Sequence, residues 1–574
     1  MQKRILVLHI GVILVFVAII SRLFYWQVIK AKDLSKQAKS QHELGQNVQA
    51  PRGNILANDG SWLSARSDAF LLYAELPNLT DSPKTIANKI APFLIEEPDE
   101  NQDKKQLFLE EVNRIQNLLE SKESVWVVIK RRLTPEVKSN IEALGIPGLG
   151  FERTDVRVYP EASSAAHLLG FVGKQEDGSD TGYFGLEGYY NLSLQGKPGF
   201  FEHEKDALGK PINVGDIKEI SAIGGVDLLT NIDKTIQMYA ERELKEGLEK
   251  YSASSGTVIV MNPNDGGIVA MSSFPSYDPA KYWGYSEDLF RNPAVSYGFE
   301  PGSVFKIFVM ASALDSKSVK PDTICDVCDG PYIVDKYSIE TWNNEYYPDS
   351  TMTNVIVHSD NVGMSFVSDK MGADLLYDYL QKFGFGNVTG IDLQGEFTPE
   401  IREKGTWNIV DLATASFGQG IAVTPIQLIK AAAIIANGGV DVSPQVVNKL
   451  QGPGWVYDIK PQIGERVISE QAAKDITAMM VEAAKNGEAK WTSLKGFKVA
   501  GKTGTAQIPI AGHYDAEKTI ASFIGFAPAD NPKFVMLVTL QEPQSSPWAS
   551  ETAAPLWFSI AKDLFSYYKI QPSE

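Results

Sequence analysis

Residues Ile5 to Ile20 form an apolar run interrupted only by His9 and Gly11, and any fold of this chain has to accommodate it. At 1.5 Å per residue, a helix from Ile5 to Trp26 is roughly 33 Å long, close to the hydrocarbon thickness of a bilayer. Arg22 can snorkel from its end, and Tyr25 and Trp26 suit an interfacial belt. A cleaved signal peptide would need small residues after its apolar core, whereas Leu23-Phe24-Tyr25-Trp26 is bulky. A buried core helix starting behind Lys3-Arg4 is the other alternative. The run therefore reads as an uncleaved membrane anchor. Charge does not orient it: Lys3 and Arg4 precede the span, but Lys30, Lys32, Lys36 and Lys39 lie beyond it. Large domains translocate regardless of flanking charge, so orientation falls to the chemistry of the remaining chain.

The rest of this 574-residue chain is long enough for several domains. The formal net charge of −17 argues against nucleic acid as a partner, because phosphates need a basic surface. The two cysteines, Cys325 and Cys328, supply two thiolates where a tetrahedral zinc site takes four ligands. A short-range disulfide or two free thiols is the better reading, and a metal site the worse one. From Lys30 to about Val226 the sequence is mixed, with a charged helical stretch at 100–123 and turn-forming patches such as 175–182. Near Gly224-Gly225 the character changes. Asp227 to Thr230 reads as a strand, Asp233 to Tyr251 as a helix, and Thr257–Met261 with Ile268–Met271 as a hairpin. Strands over Phe497–Ala500 and Phe534–Leu540, alternating with helical blocks, predict an antiparallel sheet flanked by helices.

Three short motifs carry the chemistry. Pro301-Gly302-Ser303-Val304-Phe305-Lys306 opens a helical stretch, which puts Ser303 in the first turn, at the positive end of the helix dipole. Lys306 lies on the same face one turn on, and a lysine whose pKa is depressed by burial and neighbouring cations can take a serine proton. By itself the motif is weak. S-x-x-K is expected about twice by chance in a chain this long, and Ser559-Ile560-Ala561-Lys562 repeats it inside an amphipathic helix without a Pro-Gly start.

The second motif, Ser359-Asp360-Asn361, lies 56 residues beyond Ser303. Ser359 can relay protons and Asn361 can bond a substrate amide, although alone the motif reads as a polar loop capping the next helix. His358 beside Ser359 and Asp360 does not make a triad, because consecutive residues point in different directions. The third motif is Lys502-Thr503-Gly504-Thr505, expected just beyond the Phe497–Ala500 strand. It offers a cation and two hydroxyls for a carboxylate, and a glycine where a peptide can approach a strand edge and add to the sheet. A Walker loop is excluded, since no glycine-rich lead precedes the lysine.

Taken in order, Ser-x-x-Lys, Ser-Asp-Asn and Lys-Thr-Gly are the signature of penicillin-binding proteins and serine β-lactamases. The whole chain resembles a class B penicillin-binding protein. Arg52-Gly53-Asn54-Ile55-Leu56-Ala57-Asn58-Asp59-Gly60 resembles the first block of that family's N-terminal pedestal, with Ala57 and Asn58 where Asp and Arg are usual. Arg157-Val158-Tyr159-Pro160 with His167-Leu168-Leu169-Gly170 resembles the second block, and Gly182 to Glu187 with Gly196-Lys197-Pro198-Gly199 the third. Phe417-Gly418-Gln419-Gly420 and Thr424-Pro425 match a stretch of the catalytic domain.

The resemblance implies a multidomain α+β protein: cytoplasmic tip and transmembrane helix over 1–28, an elongated α+β pedestal over 29–226, and a serine β-lactamase-like α/β transpeptidase domain with an antiparallel sheet over 227–574. It implies D,D-transpeptidation of peptidoglycan stem peptides through an acyl-enzyme on Ser303, inhibited by β-lactams and needing no cofactor or metal. Lys306 would be the general base, Ser359 the relay and Asn361 the holder of the donor peptide. Lys502, Thr503 and Thr505 would bind the carboxylate, with Gly504 leaving room, and the amides of Ser303 and Thr505 would form the oxyanion hole. The expected partner is a SEDS-family glycan polymerase, among other divisome or elongasome proteins. The expected location is single-pass in the plasma or inner membrane with the catalytic domain outside. Spacing of the pedestal blocks leans to the division-specific members over the elongation-specific ones.

A β-lactamase would be shorter and without anchor or pedestal. No Glu-x-x-Leu-Asn loop lies between Asn361 and Lys502, and Asn361 itself is unlike the class D enzymes. A β-lactam sensor or scaffold without turnover is disfavoured by the intact motif residues.

Overall fold

The structure is a computed structural model, and it describes residues 2–35, 43–95, 103–121, 124–161, 164–176, 179–204, 218–510 and 513–573. Lys36 and Lys39 lie outside the described residues, as do both ends of the expected 100–123 helix, which is observed as Lys104–Leu119. The chain falls into two units. The first holds Met1–Arg52 and Gln195–Gly225. In it helix α1 (Gln2–Phe24) runs into a π-turn at Tyr25–Ile29. Among the described residues one helix, Lys3–Ile29, is long and apolar enough to cross a membrane. The Arg22 guanidinium lies 5.3 Å from the Trp26 ring centroid, which keeps charge and aromatic belt at one level. The same unit carries an antiparallel sheet of Glu43–Val48, Gly199–Glu204 and Lys218–Ile220.

The second unit holds the rest. Its N-terminal part is built on a long strand, Trp62–Glu75, which pairs antiparallel with both Trp126–Leu133 and Leu149–Val158. Helices Pro83–Leu94 and Lys104–Leu119 cover it. The helical spacing of Ile86, Ile90 and Leu94 puts them on one buried face, against Val112, Ile115 and Leu119.

The pedestal motif blocks meet at one ion pair. Arg157 of the second block reaches Glu187 of the third at 2.6 Å and donates through Nη1 to the Gly53 carbonyl of the first at 2.6 Å. The two side chains are 6% and 0% exposed. Removing one partner strands a buried charge, so Glu187→Ala is expected to lower the free energy of unfolding by about 3–5 kcal/mol. Urea denaturation followed by tryptophan fluorescence checks this; a loss under about 1 kcal/mol would show that the fold does not lean on the pair. At the departures from the usual first block, Ala57 is fully buried and Asn58 Nδ2 donates to Asp233 Oδ2.

The strand Asp227–Thr230 does not separate two bodies. It pairs in parallel with Ile55–Leu56 and antiparallel with Val447–Gly452, so one ladder joins pedestal and catalytic segments. Asp233 then caps helix α2 (Lys234–Tyr251) by accepting from the Thr235 and Ile236 amides. The expected hairpin comes next as β1 (Ser255–Met261) and β2 (Ile268–Phe274). Helix α3 (Lys306–Asp315) begins after a 3₁₀ turn at Gly302–Phe305. Next come α4 (Met352–Val357), α5 (Asn361–Met371) and α6 (Glu470–Asn486). The remaining strands are β3 (Ala500–Ile510), β4 (His513–Ala527) and β5 (Phe534–Gln541), followed by α7 (Ala553–Tyr567).

The five strands form an antiparallel sheet in the order β2-β1-β5-β4-β3. Alternation along β1 divides its burial. Val258 and Val260 face α2 and α7, whereas Ile259 and Met261 join the larger core that contains α3 and the helix Pro425–Ala436. One expectation is corrected here. No strand spans Phe497–Ala500; β3 starts at Ala500. Phe497 stacks on Phe565 of α7 at 4.5 Å, and the Lys498 carbonyl accepts from the Ala529 amide, so these residues dock outside the ladder. Lys502 to Thr505 therefore lie within the edge strand and not beyond it.

Candidate active site

The nucleophile turn is set by glycines in close contact. Gly302 has φ +57°, and a Cβ there would lie 2.9 Å from the Thr505 carbonyl oxygen. Gly418 has φ +81°, its carbonyl accepts from the Gly302 amide at 3.0 Å, and a Cβ on it would meet the Gly302 carbonyl at 2.2 Å. Only glycine suits these two positions. The result presses Ser303 against the edge strand, where a Cβ on Gly504 would come within 2.9 Å of the Val304 amide. Ser303 is half-buried, and among the described residues its hydroxyl has no hydrogen-bond partner.

Lys306 is fully buried one turn on. Its Nζ donates to the Ser359 carbonyl at 2.5 Å, to Ser359 Oγ at 3.3 Å and to Asn361 Oδ1 at 2.7 Å. Burial, reinforced by the Lys502 cation, brings its pKa down to about 7. Lys502, also buried, donates to the same Ser359 Oγ at 3.0 Å, and burial lowers its pKa as well. One hydroxyl thus accepts from both lysines, leaving its own proton free to pass on.

Ser359 occupies a left-handed backbone position, φ +56°, between α4 and α5. Asp360 caps α5 by accepting from the Val362 and Gly363 amides. Capping loop and proton bridge are here one turn. Asn361 Nδ2 donates to the Glu340 carbonyl, so one of its amide protons is left for a ligand. His358 stacks on Tyr347 with ring centroids 3.9 Å apart, away from any triad.

On the edge strand Thr505 Oγ1 accepts from the Ala549 amide at 3.0 Å and keeps its proton, whereas Thr503 Oγ1 donates to Glu488 Oε2 at 2.7 Å. Glu488 has no local signature: it is one acidic residue after a helix end and enters the site only through the packing of α6 on β3. The tryptophans Trp342 and Trp548, both partly exposed, meet at 5.2 Å. They lie just after Glu340 and just before Ala549, residues bonded to Asn361 and Thr505. Neither was legible in the motifs.

The second Ser-x-x-Lys is elsewhere. Ser559 lies in α7 and its hydroxyl donates to Glu243. Cys325 and Cys328 are joined in a disulfide and buried.

Known proteins match along the whole chain. A penicillin-binding protein transpeptidase domain matches residues 256–566, and a penicillin-binding protein dimerisation domain matches 47–230. Stage V sporulation protein D of Bacillus subtilis is 31% identical over 580 residues, covering 100% of this chain and 86% of that protein. The peptidoglycan D,D-transpeptidase FtsI of Escherichia coli K12 is 30% identical over 450 residues, 78% of this chain and 73% of that one. Among solved structures, penicillin-binding protein 2X of Streptococcus thermophilus superposes with a TM-score of 0.74 at 24% identity, over 92% of this chain and 80% of that one, which bears on the fold alone.

Proposed function

The chain belongs to the class B penicillin-binding proteins, and on that premise we propose that Ser303 is acylated in its reaction, with Lys306 as general base and Ser359 as relay. The enzyme is a membrane-anchored peptidoglycan D,D-transpeptidase that binds β-lactams. The observation that carries the residue assignment is the Ser359 hydroxyl accepting from both Lys306 and Lys502.

That geometry supports a proton route from Ser303 to the leaving amine by way of Lys306 and Ser359. Neutral Lys306 takes the Ser303 proton as Oγ attacks the carbonyl carbon of the penultimate D-alanine. The amides of Ser303 and Thr505 receive the oxyanion. The C–N bond then breaks. The proton travels from Lys306 through Ser359 to the departing amine of the terminal D-alanine, leaving an ester on Ser303. An amine from a neighbouring strand attacks that ester, gives up its proton by the same route in reverse, and restores Ser303. Lys502 and Thr505 hold the terminal carboxylate, and Asn361 holds the donor peptide by its remaining amide proton. Thr503 supports Lys502, because its own proton is engaged by Glu488.

On this reading the residues before the span lie in the cytoplasm and the catalytic part outside, because that is where stem peptides are cross-linked. Strand polymerisation then belongs to a partner, a SEDS-family glycan polymerase. Pedestal-block spacing favours septal synthesis over elongation.

Intact mass of the full chain after incubation with a fluorescent penicillin tests this reading. One penicilloyl group, mapped to the peptide containing Ser303 and decaying over hours, is expected. Adduct on Ser559, or rapid turnover to free penicilloate, would overturn it.

A further inference from the structure

We propose that Glu488 is a positioning residue of this reaction: its carboxylate, held on Thr503, fixes how charge is divided between Lys306 and Lys502. This rests on the assignment of Lys306 as base and Lys502 as carboxylate binder.

A threonine hydroxyl has one proton, and Thr503 gives it to Glu488 Oε2 at 2.7 Å. The Lys502 ammonium must then be the donor in its 3.1 Å contact with Thr503 Oγ1. The chain of donors therefore runs from Lys502 through Thr503 to Glu488 in one direction only. At its other end two buried lysines share Ser359 Oγ, and two ammonium ions cannot both be kept cheaply in one dry pocket.

Among the described residues the carboxylates acting on Lys306 are Glu488 and Asp360, the one acting on Lys502 is Glu488, and the two lysines act on each other. Asp360 accepts the amides that begin α5 through Oδ1, its buried Oδ2 has no hydrogen-bond partner among the described residues, and its charge acts on Lys306 but not on Lys502. Glu488 is thus the one carboxylate common to both lysines, and only a hydroxyl separates it from Lys502. It keeps the cation on Lys502, where a ligand carboxylate is to be held. That cation in turn leaves Lys306 neutral and able to accept a proton. Each lysine has a single role because of where Glu488 sits.

Removing the negative charge lowers the pKa of both lysines further. Lys306 is then neutral at lower pH, and Lys502 loses its cation at lower pH. The bell of acylation rate against pH should move to acid on both sides. The measurement is the second-order acylation rate of the full chain in detergent by a fluorescent penicillin, between pH 5 and 10. Relative to wild type, Glu488→Gln should fall about tenfold on the basic limb and match or exceed it on the acidic one. With the methyl ester of the same penicillin, which has no carboxylate for Lys502, only the acidic limb should move. Glu488→Asp keeps the charge and should restore the wild-type profile, and Glu488→Ser carries the same expectation as the amide if the latter does not fold.

An unmoved profile would overturn the proposal. So would a uniform rise in rate without a pH shift, which would mean that Glu488 only competes with the ligand carboxylate. A shift in Glu488→Asp equal to that in Glu488→Gln would reduce it to a packing role. Failure of the underlying assignment would look different, as the loss of Ser303 adduct in wild type.

Discussion

Ser303→Ala is expected to abolish covalent labelling by penicillin, with the acylation rate reduced at least ~10⁴-fold, because the other groups of the site can polarise the lactam but none can form the ester. The variant should fold as wild type. Ser303 is half-buried and has no hydrogen-bond partner among the described residues, so the change removes one oxygen and breaks no bond described there. Ser559→Ala is the matched control, since it removes the serine of the other Ser-x-x-Lys match and deletes only a hydrogen bond to Glu243. It should label at the wild-type rate. Fluorescence of the labelled band over time reads both. Labelling that survives in Ser303→Ala would move the nucleophile elsewhere and dismiss the assignment made from geometry.

Lys306→Met carries the second largest effect. Methionine keeps most of the side chain's length and apolar volume but has neither lone pair nor charge, so the Ser303 proton has no acceptor nearby. General-base assistance contributes about 10²–10⁴ in rate, and acylation should fall by that range. The pH dependence has a definite sign. With a pKa brought down to about 7, Lys306 is protonated and idle below that value and neutral above it. Wild-type acylation should climb about tenfold per pH unit below 7, level off above it, and fall again on the basic side where Lys502 loses its cation. In Lys306→Met the rise should disappear, leaving a low rate. A variant that kept the rise would show that another group titrates there. Because Met cannot donate, Ser359 and Asn361 also lose their link to α3, and the thermal midpoint should be followed alongside.

Much of the site was legible because its chemistry sits in three local motifs that each bring their own secondary structure. Ser303 is announced by Pro301-Gly302 and by the apolar helix after it, Asp360 by its capping role, and β5 by its own apolar run. The hairpin of β1 and β2 was legible from its two apolar runs, Thr257–Met261 and Ile268–Met271. Features that depend on distant packing were not. The order β2-β1-β5-β4-β3 pairs strands separated by more than two hundred residues, and no local pattern encodes such a pairing. The β3 boundary was misplaced because Phe497 has the composition of a strand but is spent on Phe565. Glu488 was invisible for the same reason as any lone acid near a helix end: its meaning comes from Thr503, which approaches it only when α6 packs on β3.

The ladder through Ile55–Leu56, Asp227–Thr230 and Val447–Gly452 has a mechanical consequence. A linker between two bodies behaves as a joint, and a tug on one is lost in its slack. Here the chain segments on either side are rungs of one sheet, reinforced by Asn54 N donating to Asp227 and Thr230 Oγ1 donating to the Leu56 carbonyl. Bending at that place means breaking several bonds at once, each worth about 1 kcal/mol net. Displacement of the pedestal strands is therefore passed stiffly to the segment that leads into α2 and β1. Within the second unit, tension carried by the strand Ile55–Leu56 would arrive at the catalytic sheet as movement, and not dissipate at a hinge.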